Sequence, residues 1–176
     1  MTSGHLGAEP DAKTAWLVAA HEAGHVVVEA SQGSWPDEVY LSDDPRADHG
    51  GRTITRSYIA AVLGDGDDIQ RERLADATWG GPVAQCLAEG MPLDVDEMVA
   101  DALACDDPQA DEGRLRAMAG HLLPGHAETW LEASLRRTEV VLLDRWADVV
   151  AVADALVKHR RLGRDDLRAL LAPQSS

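Results

Sequence analysis

Two histidines stand four residues apart at His21 and His25, with Glu22 directly after the first. In a helix of 3.6 residues per turn, side chains four apart share one face, so both imidazoles can reach one cation while the carboxylate stands beside it. Neutral imidazole nitrogens suit Zn²⁺, and a catalytic zinc keeps one position open for water. A neighbouring glutamate can take that water's proton as it attacks a carbonyl. The pattern points to zinc-dependent hydrolysis, and it needs a third protein ligand from elsewhere in the chain.

The histidines lie in a helical pattern from Asp11 to about Ser31. Trp16, Leu17, Ala20, His21, Gly24 and Val28 recur at intervals of three and four, an inward stripe that carries both imidazoles. Gly24 costs such a helix about 1 kcal/mol relative to alanine, and the expected return is close approach by another backbone. A distant helix opens after Asp107-Pro108, where Asp107 reads as an N-cap with proline at the first helical position. Leu115, Met118 and Leu122 mark its buried face, and Asp111 precedes Leu115 by one turn on the same side. A carboxylate aimed into a core must be paired, hydrogen-bonded or metal-bound, which favours Asp111 as third ligand. In the competing reading Asp111 sits in the first turn and complements the helix dipole. Asp106, Asp107 and Glu112 are rival acids, with Asp107 better explained as the cap.

At 176 residues and 45% apolar content the chain suits one folded domain with a real core. Its formal net charge of −15 repels nucleic acid and anionic membrane surfaces. The one basic cluster, Lys158-His159-Arg160-Arg161, reads as a helix C-terminus. Cys86 and Cys105 are too few for a disulfide framework or a thiolate metal site and read as buried thiols. No apolar run approaches the roughly 20 residues that cross a bilayer, and the N-terminus lacks the pattern of a secretion signal, so a cytoplasmic protein is expected. His5 and His49 read as loop residues, and His121 and His126 as helix-end residues near Pro124. Five tryptophans, with no phenylalanine, are expected to fill the core.

Residues 1–10 and 173–176 read as tails, and 11–172 as the domain. After turn chemistry at Gln32 to Pro36 come two short strands, Glu38 to Ser42 and Arg52 to Tyr58, joined by the polar loop Asp43 to Gly51. The second is polar and β-branched, an edge strand. Thr53, Ile54 and Thr55 would receive an extended peptide there by main-chain pairing, or remain a solvated edge. A loop from Gly64 to Asp68 leads to a helix over Ile69 to Ala88, which Gly80-Gly81-Pro82 is expected to interrupt. An amphipathic turn set follows over Asp94 to Ala104. After Leu123-Pro124-Gly125 one helix runs to about Lys158, roughly 50 Å if unbroken. Arg161-Leu162-Gly163 ends it before a short terminal helix over Asp165 to Leu171.

The motifs together resemble the peptidase domain of the FtsH-type ATP-dependent zinc metallopeptidases. Ala20 to Val27, AHEAGHVV, is similar to that family's zinc helix. Ala77 to Gln85, ATWGGPVAQ, resembles its Gly-Gly helix segment. Ala110-Asp111-Glu112-Gly113-Arg114 resembles its Asn-Asp-x-x-Arg segment, whose aspartate is the third zinc ligand, and Leu156 to Leu171 resembles its closing element. The resemblance implies a mainly α domain with a small two- or three-stranded sheet near the active-site helix. In it His21, His25 and Asp111 would hold Zn²⁺, and Glu22 would be the general base of peptide-bond hydrolysis by metal-activated water.

The chain departs from that family as well. The AAA+ module and membrane anchor of the full-length proteases are absent from this sequence, and Gln85 stands where the family usually carries a glutamate near the metal. An amide there can orient a histidine without raising its basicity. The expected activity is a stand-alone zinc metalloendopeptidase acting on a peptide or unfolded protein segment, self-associating or served by an ATPase on another chain. The alternative is a zinc-stabilised protein-interaction module of the same fold with little activity. Neither nucleic acid nor membrane is an expected partner.

Overall fold

Helix α1 (Ala12–Ser31) is apolar nearly all the way round. Ala19, Ala20, Ala23, Val26, Val27 and Val28 are buried, and so are Glu22 and Glu29. A helix of that kind must be covered on every side. The computed structural model describes residues 12–42, 51–54, 68–122 and 125–172. Among them are seven helices and three short strands. Helix α2 (Asp68–Glu89) runs along α1, while α5 (His126–Asp144) and α6 (Trp146–His159) cover further sides. Strands β1 (Glu38–Leu41) and β2 (Gly51–Ile54) close another. Helices α3 (Val95–Ala104) and α4 (Asp111–Ala119) pair with each other, and α4 also reaches α2. The expected tails at 1–10 and 173–176, loop residues 43–50 and 64–67, strand residues 55–58 with Thr55, and residues 123–124 lie outside the described residues.

The α1–α2 seam rests on glycine. A Cβ on Gly24 would strike the Gly80 carbonyl, and one on Gly80 would come within 2.6 Å of the Gly24 carbonyl, so the two backbones touch. That contact is the return on the helix stability that Gly24 gives up. It also explains why α2 continues through Pro82 instead of breaking there. Proline forfeits a helical hydrogen bond at a cost of about 3 kcal/mol. Here the seam, with buried Trp79, Val83 and Ala84, holds the helix to α1 on both sides of it. Farther along, Asp76 ties α2 to α5, accepting from the Ser134 hydroxyl at 2.6 Å and from the Arg137 guanidinium at 2.9 Å.

The sheet has the order β2-β1-β3 and is antiparallel throughout. Val39 and Leu41 point into the core from β1, and Val39 pairs with Thr53 on one side and Leu162 on the other. The third strand, β3 (Arg161–Gly163), occupies residues expected only to stop a helix. Arg160 adopts a left-handed φ of 65° that turns the chain out of α6, and its carbonyl accepts from the Leu41 N–H at 2.9 Å. Buried Leu162 then completes the pairing, and α7 (Arg164–Leu170) follows directly.

Four further expectations are corrected. The long C-terminal helix is two helices, broken at Arg145, whose carbonyl accepts from the Asp148 N–H while its guanidinium holds the Asp148 carboxylate at 2.7 Å. Asp107 does not cap α4. Its carboxylate accepts from the Gln109 N–H at 2.9 Å and closes a separate turn before the helix, whose N-cap is Ala110. Cys86 and Cys105 are half-buried rather than buried. Of the tryptophans only Trp79 is in the core; Trp16, Trp35, Trp130 and Trp146 pack around its margin. No helix among the described residues is long and apolar enough to cross a membrane.

Candidate metal centre

Helix α1 presents His21 and His25 one turn apart, and α4 presents Asp111 from its first residue. The three side chains converge although Asp111 lies 90 residues from His21 in the chain. Asp111 Oδ2 is 3.1 Å from His21 Nε2 and 3.1 Å from His25 Nε2, and the two imidazole nitrogens are 3.3 Å apart. Zinc bonds of 2.0–2.1 Å to nitrogen and oxygen set tetrahedral ligand separations of about 3.3–3.4 Å. The triangle formed here is of that size, so the donor set fits a tetrahedral zinc. Among the described residues it is the one group of three or more His, Cys, Asp or Glu side chains close enough to share an ion.

Two of the three ligands are held by a further group. A carbonyl can only accept, so the 2.8 Å contact between His25 Nδ1 and the Ala77 carbonyl puts the ring proton on Nδ1 and leaves the Nε2 lone pair facing the triangle. Arg114, one turn after Asp111 on α4, lies 3.3 Å from Asp111 Oδ1, which leaves Oδ2 for the imidazoles. Gly113 lets the 107–110 turn fold against the start of α4, since a Cβ there would strike the Asp107 carbonyl. Gly81 faces the imidazole pair, and a Cβ on it would collide with both Nε2 atoms. The Gly-Gly step of α2 thus has two jobs: Gly80 seats the helix and Gly81 leaves room over the ligands.

Glu22 is buried beside the histidines and turned toward β2. Its Oε2 accepts from the Thr53 hydroxyl at 2.8 Å, and Gly51 leaves space for its side chain, because a Cβ there would lie 2.7 Å from Glu22 Cγ. His25 and Asp111 side chains are 12% exposed and His21 is 25% exposed, so the triangle is sheltered yet reachable by water.

The electrostatics favour a positive charge among the donors. Burial opposes protonation of His25, but the Asp111 charge and hydrogen bond, the Glu22 charge and the Ala77 carbonyl outweigh it and raise its pKa to about 9. Burial likewise opposes ionisation of Asp111, yet His25 and His21 hold its carboxyl far below the usual carboxylate range. A proton on His25 or a metal cation between the three groups meets the same demand.

Of the rival acids, exposed Asp106 pairs with Arg116, exposed Asp107 closes its turn, and Glu112 is half-buried outside the cluster. His121 and His126 are exposed, and His5 and His49 lie outside the described residues. Gln85 is exposed one turn beyond Gly81; the Nδ1 of His25 is held by Ala77 instead. Ile54 sits on β2 opposite Glu38, and its carbonyl accepts from the Asp37 N–H at 2.9 Å. Sequence reasoning missed the Ala77 carbonyl, the Arg114 contact, and the link from Thr53 to Glu22. Arg114 carries a signal, a cation at i+3 from the candidate acid; a backbone carbonyl carries none.

His21-Glu22-x-x-His25 with Asp111 is therefore an HExxH-type zinc-binding arrangement with an aspartate as third ligand, suited to metal-activated hydrolysis. No protein-family model matches this chain, and no curated protein matches it at a significant level.

Proposed function

We propose that the chain is a zinc metalloendopeptidase of the FtsH-like kind, with residues 11–172 as its peptidase domain. The observation that carries this is the 3.1–3.3 Å triangle of His21 Nε2, His25 Nε2 and Asp111 Oδ2, with the Glu22 carboxylate buried beside it. The resemblance of AHEAGHVV, the Gly-Gly segment and the Asp111 segment to that family supports the same reading. So does the placement of Gly80 and Gly81 between the zinc helix and its neighbour.

His21, His25 and Asp111 would hold a zinc ion, which would supply Lewis-acid chemistry, acidifying water and polarising a scissile carbonyl. Glu22 takes the proton of the attacking water and later delivers it to the leaving amine. The carbonyl of Ala77 keeps His25 in the tautomer whose Nε2 is a ligand, and Arg114 orients the carboxylate of Asp111. The edge strand β2, with Thr53 and Ile54, lies beside Glu22 and has β1 on one side. Among the described residues no strand pairs with its other side, which would offer main-chain groups to an extended peptide or unfolded segment, with Thr55, outside the described residues, as a further candidate contact. Gln85, exposed one turn after Gly81 on α2, would contact a substrate rather than a ligand. The chain would self-associate, or would be supplied with substrate by an ATPase on another chain.

Digestion of a peptide library tests the proposal. The native protein loaded with zinc cleaves, and Glu22→Gln, which keeps all three ligands, loses activity by roughly 10²–10⁴-fold. No cleavage by either protein would overturn the hydrolase reading in favour of a zinc-stabilised interaction module.

A further inference from the structure

We propose that Thr53 is a positioning residue for Glu22: its hydroxyl, on the sheet edge, holds the general base in its working orientation. The inference rests on the hydrolase reading above and adds to it a residue of the strand that was otherwise assigned only to substrate binding.

Three observations converge. The Thr53 hydroxyl donates to Glu22 Oε2 at 2.8 Å and also approaches the Glu22 backbone carbonyl at 3.4 Å, so it bridges side chain and main chain of one residue. Glu22 is only 6% exposed, and a buried carboxylate depends on such donors in place of water. Gly51, two residues earlier on the same face of β2, leaves the space that the Glu22 side chain uses; its absent Cβ would lie 2.7 Å from Cγ and 3.0 Å from Oε1. One oxygen of Glu22 is thus engaged by threonine, and the other lies against a glycine that supplies no side-chain donor.

A hydroxyl at position 53 is not needed for the sheet. Thr53 pairs with Val39 through the backbone, and valine would serve that pairing as well. The side chain matters where it meets Glu22. Binding of an extended segment along β2 would therefore also fix the strand that orients the base.

The test compares Thr53→Val, which keeps the β-branched shape without the hydroxyl, with Thr53→Ser, which keeps the hydroxyl. With zinc bound and a fluorogenic peptide as substrate, Thr53→Val lowers kcat about 10- to 100-fold, the worth of a hydrogen bond to a charged group. KM and zinc stoichiometry stay at native values, and Thr53→Ser recovers most of the loss. A second readout does not use activity. In protein labelled with ¹³C at glutamate carboxyl carbons, the Glu22 signal, assigned by its disappearance in Glu22→Gln, moves in Thr53→Val and returns in Thr53→Ser. Gly51→Ala, which intrudes on Glu22 while keeping Thr53, lowers kcat in the same way. An unmoved Glu22 signal in Thr53→Val would overturn the proposal, as would a kcat within twofold of native or a Thr53→Ser protein no better than Thr53→Val. A native protein without peptidase activity but with the carboxyl signal behaving as stated would sink the hydrolase reading alone.

Discussion

At the scale of single residues, two of the three donors are fixed from behind. His25 is set by a carbonyl and Asp111 by a guanidinium, while the missing side chain of Gly81 leaves room for both imidazoles. Gly81→Ala should accordingly lower zinc affinity by about 10- to 100-fold, as loss of ligand support does elsewhere. Competition with a chromogenic chelator measures this, and an unchanged affinity would show that α2 can retreat from the histidines. Protonation gives a second outcome. His25 is raised to about 9 in the metal-free protein, so below that pH a proton and zinc compete for the same nitrogen. Zinc binding at pH 8 should release about one proton from His25, and affinity should rise with pH up to about 9. Calorimetry in two buffers of different ionisation enthalpy reads the released proton; equal apparent enthalpies in both would contradict it.

At the scale of elements, the decisive contact is the glycine seam between α1 and α2. Alanine at position 24 gains about 1 kcal/mol of helix propensity, but its Cβ meets the Gly80 backbone carbonyl, which cannot rotate away. Overpacking of this kind costs about 1–3 kcal/mol and should prevail, so Gly24→Ala lowers the urea midpoint at unchanged m-value. A raised midpoint would contradict the seam. Much of this arrangement was legible from residue order. The spacing of His21 and His25, the place of Asp111 one turn before Leu115, and the cost of Gly24 each follow from helix geometry, which is local. The illegible parts depend on what lies across a gap. Pro82 was expected to break α2, and only the packing against α1 explains why it does not. Arg145 breaks a run whose apolar spacing carries on through it, its backbone leaving the helical region at φ −110° and ψ 24°, which the spacing of apolar residues does not encode. The contact of Thr53 with Glu22 depends on the register of β2 against β1, and composition does not set that register.

At the scale of the whole molecule, the metal centre joins two parts of the structure. Helix α1 sits at the middle of the core, while α4 belongs to the α3–α4 pair at its side, and Asp111 is the point where α4 meets the histidines. The chain's formal net charge of −15 is a background that favours a cation at this cluster. A metal bound only by the folded state also stabilises it by mass action, so the joint is energetic as well as geometric. The central claim is that these three side chains hold one zinc, and X-ray absorption at the zinc edge, with metal content, tests it most directly. Native protein and Glu22→Gln should each hold about one zinc with two imidazoles and oxygen ligands at about 2.0–2.1 Å, and Asp111→Asn should lose most of it. Zinc retained fully by Asp111→Asn, or a native spectrum without imidazole scattering, would contradict the account.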